Sequence, residues 1–401
     1  MHLGKDKKIA ILSLYSHALY TERDLSMGGA ERRAYYWLKL LQESGFSVSA
    51  ILAHPNRKEK KVESRLTGPW PLFEHPKYRI DGHIVRAAIP IGGISGKLRD
   101  KFLSLFSLPL PDSKKTNKEL GTGIYGQINA DVYVAFGLTN PAHELAQFCK
   151  EMGKKFAVSV AGDVDFDFLE KPIGKDAYDS DRERKPETLR LADIIVAQTR
   201  KQAEKLTEAG IPPSKVKVIL NPISILPLPE KRTKAFILWI GKSDSNKNPE
   251  AVMELAKKAP HLAFCLIFGG SLSPTLAAEI RKQSNIQIVE AVKPQDMRPY
   301  YLNAWCLLST AHAEGFPNTF LEAWEAGVPV ASLHVNPGDL LTDSGLGFWA
   351  AGRLEGLNAV LQEWANAPEK AIAIGEKGRE YVQANHDCNP IKIQLEKVFQ
   401  H

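Results

Sequence analysis

Apolar residues along this chain fall into short continuous runs that alternate with stretches of helical spacing. The runs "KIAILSL" from Lys8, "VSAILA" from Val48, "DVYVAF" from Asp131, "KFAVSVAG" from Lys155, "ADIIVAQT" from Ala192 and "KVKVIL" from Lys215 read as buried strands. Between them, "GAERRAYYWLKLLQESG" from Gly29, "AHELAQFCKEMG" from Ala142 and "RKQAEKLTEAG" from Arg200 read as helices. Strands apolar on both faces are what a parallel sheet covered by helices on both sides requires. A proline-rich break, "NPISILPLPEKRTK" (221–234), interrupts the rhythm and reads as an interdomain linker. The alternation then restarts with strand "AFILWIG", helix "NPEAVMELAKKA", strand "LAFCLIFGG", helix "SPTLAAEIRKQ", strand "IQIVE", helix "QDMRPYYLNA", strand "WCLLST", helix "NTFLEAWEAG" and strand "PVASL". Helices are expected near 353–366 and 369–385, with one more in the tail "NPIKIQLEKVFQ".

The expected fold class is therefore α/β, with two doubly wound, Rossmann-like domains facing across a cleft. Their bounds are 1–222 and 235–385, joined by a linker at 223–234. A terminal helix over 386–401 packs back on the first domain. Ligands of such sheets bind beyond the carboxyl ends of the strands. One segment breaks the rhythm. Residues 54–125 read as an irregular, basic and turn-rich insertion, with "RKEKK" (57–61), "GPWPLFEHP" (68–76) and "GKLRDKFLSLFSLPLP" (96–111). "KLRDKFLSLFSL" can form an amphipathic helix, either packed on its own domain or lying on a membrane surface.

Composition changes this picture little. At 401 residues, two domains are the natural expectation. A net charge of +6 suits an anionic small ligand or an anionic membrane surface, and no module points to nucleic acid. Cys149, Cys265, Cys306 and Cys388 show no paired spacing, which fits a reducing, cytoplasmic compartment. The apolar run near the N-terminus is too short for a signal peptide and reads as the first strand. No run approaches the roughly 20 residues of a spanning helix.

The candidate chemistry lies in "STAHAEGFPNTFLEAWEAG", which follows a strand and opens a helix. Gly315 permits a tight turn, Pro317 presets the backbone, and Asn318 or Thr319 begins the helix. The first amides of a helix lack internal partners and carry the positive end of its dipole, so a phosphate can be held there by backbone alone. Glu314 would then face the cleft and accept hydrogen bonds from sugar hydroxyls, while Glu322 could grip a vicinal diol such as ribose. A glutamate early in a helix is common for dipole reasons alone; the surrounding arrangement is what sets this one apart.

"EGFPNTFLEAWEAGVPV" resembles the E-x7-E signature of the family 4 retaining glycosyltransferases, which have the two-domain GT-B fold. "FILWIGKSDSNKNPEAVMELAKKAP" is similar to that family's strand–loop–helix contacting the donor diphosphate. "MGGAERRAYYWLKLLQESGFSVSAI" resembles its glycine-rich N-terminal loop and first helix, and "IIVAQTRKQAEKL" with "KVKVILNP" the end of its N-domain. The resemblance implies a retaining transfer from a nucleotide sugar, UDP- or GDP-linked, to a glycan or lipid-linked acceptor in polysaccharide or cell-envelope synthesis. It implies catalytic roles for Glu314 on the donor sugar and for Lys247 and Lys242 on the diphosphate. Glu322 would hold the ribose. Gly315, Phe316, Pro317, Asn318, Thr319 and Gly241 would line the donor site, with Gly28 and Gly29 letting donor or acceptor approach the backbone. Base contacts are expected from backbone near "EAVKPQD" (290–296).

Two features depart from the family pattern. Lys242 stands where the family usually has Arg, keeping the charge and losing the planar fork. In place of a histidine near the acceptor, the chain has "AGDVDFDF", with Asp163 leaving the strand as a candidate to orient the acceptor hydroxyl or touch the donor sugar. Asp163, Asp165 and Asp167 alternate as in some Mg²⁺ sites. In this fold, however, cationic side chains and helix amides do the metal's work, so no metal cofactor is expected. Without an obvious nucleophile beneath the sugar, front-face transfer is expected, in the cytoplasm or at the inner face of the cell membrane. The rivals are a catalytically impaired relative, a sugar phosphorylase of the same fold, and a two-lobed solute-binding protein, which would need an export signal.

Overall fold

The computed structural model describes residues 7–14, 29–55, 71–81, 84–87, 117–166, 179–230, 232–269, 272–290 and 292–400. The first domain contains β1 (Lys8–Leu12), α1 (Gly29–Glu43), β2 (Ser47–Pro55), β3 (Leu72–Asp81), β4 (Ile84–Ala87), α2 (Asn117–Ile128), β5 (Val132–Phe136), α3 (Asn140–Met152), β6 (Lys155–Ser159), α4 (Asp179–Leu191), β7 (Ile194–Ala197), α5 (Arg200–Glu208) and β8 (Val216–Val218). Its strands form one sheet in the order β4-β3-β2-β1-β5-β6-β7-β8, parallel except for the β3–β4 pair.

The second domain contains β9 (Phe236–Gly241), α6 (Pro249–Lys258), β10 (Phe264–Phe268), α7 (Pro274–Arg281), β11 (Ile286–Glu290), α8 (Arg298–Asn303), β12 (Ala304–Ser309), α9 (Asn318–Glu325), β13 (Val330–Ser332), β14 (Gly347–Trp349), α10 (Leu354–Asn366) and α11 (Pro368–Asn385). Its parallel sheet runs β11-β10-β9-β12-β13-β14. Each sheet carries a separate apolar layer on either face, so its central strands are buried on both sides. That burial is why they appear in the sequence as unbroken apolar runs.

The last helix, α12 (Cys388–Phe399), lies against α1, where Phe399 meets Trp37 edge to face at 5.9 Å. The chain thus crosses between the domains twice, and the two crossings touch. Ile223 N donates to the His386 carbonyl at 2.8 Å, and His386 Nδ1 bonds the Asn221 carbonyl at 2.8 Å. The linker beyond them is clamped by Glu325, whose Oε1 accepts from Leu226 N at 3.0 Å. Arg298 and Arg379 flank that carboxylate at 3.2 and 3.3 Å and also reach the Pro227 and Leu226 carbonyls.

The structure corrects the reading of 54–125 as an irregular insertion. β3 and β4 extend the sheet there, and α2 begins at Asn117. The β2–β3 register jumps between Ala53↔His75 and His54↔Arg79, skipping the stretch that holds Pro76. Proline cannot donate to a ladder and sits at such irregularities, which is why no clean strand pattern showed. "RKEKK" (57–61) and "KLRDKFLSLFSL" (97–108) lie outside the described residues. The strand β14 and the helix α4, which carries Pro186 within it, are further elements absent from the sequence reading. Among the described residues, no helix is long and apolar enough to cross a membrane.

Candidate functional site

In the second sheet, β9 lies between β10 and β12, so the strand order reverses between β9 and β12. Crevices open at such reversals, beyond the carboxyl ends of the strands. Lys242 and Lys247 follow β9, and Glu314 follows β12, so the motifs lie on the two loops of this crevice. The Lys247 ammonium is ion-paired with Glu314 Oε1, both side chains about a quarter exposed. Trp239, Ile240, Thr310, Pro317 and Thr319 help line the same hollow.

Local hydrogen bonds fix this pair. Asn246 stitches one loop to the other: its Nδ2 donates to the Ala313 carbonyl, its Oδ1 accepts from Ala313 N, both at 3.1 Å, and its carbonyl accepts from His312 N at 2.8 Å. Lys247 N donates to Asp244 Oδ1 at 2.9 Å, and its carbonyl accepts from Thr310 Oγ1 at 2.8 Å. Thr310 in turn accepts from Trp239 Nε1 at 2.9 Å. Asn248, held at φ 50°, caps α6 through Ala251 N, with Pro249 at the first helical position. Gly241 leaves room for this packing, since a β-carbon there would come within 2.7 Å of the Trp239 ring. Lys242 is exposed at the end of β9.

α9 starts at Asn318 after Pro317, and no side chain caps it. Phe320 N donates to the Pro317 carbonyl at 3.1 Å, while the Asn318 and Thr319 amides keep their donor capacity at the mouth of the hollow. Asn318 is instead occupied across the cleft, donating from Nδ2 to the Gly29 carbonyl at 3.2 Å and accepting from Asn221 Nδ2 at 3.2 Å. The Phe316 side chain is buried against His386, ring centroids 5.2 Å apart, so only its backbone is available to a ligand. Glu322 pairs with Arg32 of α1 and accepts from the Tyr301 hydroxyl.

The first domain closes the crevice mainly with backbone. Gly315 sits so close to Gly162 that a β-carbon there would lie 2.6 Å from its Cα and 2.9 Å from the Ala161 carbonyl. Gly29 opens α1 within reach of Asn318, and Gly28 lies outside the described residues. Asp163 begins a single 3-10 turn, Asp163–Phe166, at the end of β6; its side chain, like Asp167, lies outside the description. Asp165 turns inward, taking the Leu138 amide at 3.1 Å and the Ala161 amide at 2.6 Å. Burial pushes its carboxyl up, and those amides partly offset the shift. It braces the turn. Among the described residues, no group of three or more His, Cys, Asp or Glu could hold a metal ion.

The geometry thus brings together Lys247, Glu314, Pro317, Thr319 and the start of α9, with Glu322 on the same helix. Sequence reasoning did not single out Arg32, Tyr301, Asn221, Asn246 or Trp239. Only Asn246 carried a local signal, as an asparagine in the loop between a strand and a helix cap.

Residues 225–381 match the family model described as glycosyl transferases group 1. A 167-residue stretch is 28% identical to the lipopolysaccharide 1,6-galactosyltransferase of Salmonella typhimurium, covering 39% of this chain and 46% of that protein. The chain therefore spans about half the length of the curated relative it matches. Sucrose-phosphate synthase from Thermosynechococcus elongatus superposes with a TM-score of 0.72 at 14% identity, over 98% of both chains. HepE of Anabaena, in complex with UDP and glucose, gives 0.66 at 14% identity, over 98% of this chain and 99% of that one. The chain thus has the two-domain GT-B fold of these structures, and the family-model match lies within its second domain.

Proposed function

We propose that the protein is a retaining glycosyltransferase that moves a sugar from a UDP- or GDP-sugar to a glycan or lipid-linked acceptor of a polysaccharide or the cell envelope. One observation carries this reading: the Lys247–Glu314 pair lies at the strand-order reversal, beside the uncapped start of α9. Breaking the anomeric C–O bond leaves a nucleoside diphosphate of growing negative charge. A fixed ammonium and free helix amides in a narrow crevice are what stabilise such charge. Lys247 and Lys242 would meet the diphosphate, and Glu314 the hydroxyls of the donor sugar. When the donor enters, its phosphate competes with Glu314 for Lys247, freeing that carboxylate for the sugar.

The ribose would lie against Glu322, which is one to two helical turns into α9 from the phosphate end. The acceptor enters from the first domain, past Gly29, Gly162 and the turn at Asp163. The departing phosphate then takes the acceptor's proton on the same face as the new bond. Similarity to a lipopolysaccharide galactosyltransferase and to a UDP-bound structure supports this choice of donor and acceptor class.

A thermal-shift panel of nucleoside diphosphates and nucleotide sugars tests the reading. The correct donor at a hundred times its dissociation constant should add about 2.7 kcal/mol of stability. Proton NMR of the product should then show the anomeric configuration of the donor. Absence of any nucleotide response, or an inverted product, would remove the reading.

A further inference from the structure

Among the described residues, Arg32 carries a first-domain charge across the cleft to a carboxylate of α9, and the proposed function leaves it unused. It stands in the first turn of α1 beside Arg33, and the two neighbours diverge. Arg33 is buried, donating to the Val160 carbonyl at 3.3 Å and the Ile219 carbonyl at 3.0 Å, with its guanidinium 5.2 Å from the Trp37 ring. That anchor pins α1 to the ends of β6 and β8. Arg32, about a quarter exposed, then reaches the cleft and pairs with Glu322 Oε1.

Glu322 is held from the opposite side as well. Its Oε2 accepts from the hydroxyl of Tyr301, a side chain buried in the second domain's core. The carboxylate is therefore suspended between the two domains, one oxygen to each. An ionised carboxylate offers about four acceptor positions, so two remain for a vicinal diol. Asn318, four residues earlier on the same face of α9, also crosses to α1 by bonding the Gly29 carbonyl. The start of α1 and the face of α9 that would meet a nucleoside are thus tied at two points.

Resting on the reading of Glu322 as the ribose contact, we infer that Arg32 is a positioning residue for the donor. It orients and neutralises Glu322 across the cleft, so that the nucleoside grip is complete only when the first domain is docked. Arg32 acts through Glu322, not by its own contact with the ligand. That distinguishes it from a phosphate-binding arginine, whose contribution would be independent of Glu322.

Isothermal titration of UDP and GDP into the full-length protein tests this with Arg32→Gln, Arg32→Lys, Glu322→Gln and the Arg32→Gln/Glu322→Gln double variant. Loss of one charge-assisted contact to Glu322 should weaken binding about tenfold in Arg32→Gln. Arg32→Lys should fall between Arg32→Gln and the wild type, which a purely structural role would not produce. The double variant should bind no more weakly than Glu322→Gln alone, because the two side chains act as one unit. Wild-type affinity in Arg32→Gln, or losses that multiply in the double variant, would overturn the inference while leaving the donor reading intact. If the wild type binds neither nucleotide, the donor reading fails and takes this inference with it.

Discussion

The two walls of the crevice are built differently. On the second domain's side, Lys242, Lys247, Glu314 and the start of α9 come from two loops at one strand reversal, stitched together by Asn246. On the first domain's side, the wall is assembled from α1, the end of β6 and the crossing point at Asn221, segments far apart in the chain. The first wall is made of charged side chains at short spacing, the second mostly of glycine backbone and one arginine. The charged side chains are held within one domain, and the facing wall is left to dispersed backbone.

The largest expected effect is at the linker clamp. Glu325→Ala would strip Arg298 and Arg379 of their shared carboxylate, leaving them only backbone carbonyls, and should cost about 3–5 kcal/mol in chemical denaturation. Within the second domain's wall, Lys247→Ala or Glu314→Gln should lower turnover by about 10²–10³-fold with an unchanged melting temperature. A comparable loss from an exposed lysine elsewhere would mean the crevice has been misplaced.

The crossing between the walls should respond to acid. His386 is buried against Asn221, Phe316 and Tyr381, and desolvation brings its pKa down from 6.5 to about 4. The unfolded chain then takes up a proton at higher pH than the folded one. Stability should be level above pH 6.5 and fall by about 3 kcal/mol as the pH drops toward 4. In His386→Gln that slope should flatten; urea melts across the range provide the check.

The smallest effect sharpens the contrast directly. Gly315→Ala places a methyl group against Gly162, an overpacking cost of about 1–3 kcal/mol that the molecule can relieve by parting its domains. Small-angle scattering should show a larger radius of gyration, with each domain's own fold unchanged.

The same difference explains what the sequence made legible. The second domain's elements and the Glu314–Glu322 stretch stood out because short-range spacing places them: a strand, a tight turn and a helix start are all local. The sheet extension at β3 and β4 did not, because Pro76 and a register jump erase the alternation that marks a strand. Nor did Arg32 or Asn221, whose partners lie some 290 and 97 positions away and exist only once both domains have folded. Asp165 had the composition of a metal ligand and proved to be a brace for backbone amides, a distinction that depends on which way a side chain turns.

The most direct test of the central claim is a crystal structure of the chain with a bound nucleoside diphosphate. The terminal phosphate should lie at the first amides of α9, within hydrogen-bonding distance of Lys247, and the ribose hydroxyls on Glu322. A nucleotide seated against the first domain's strands, with Lys247 and Glu314 still paired to each other, would contradict it.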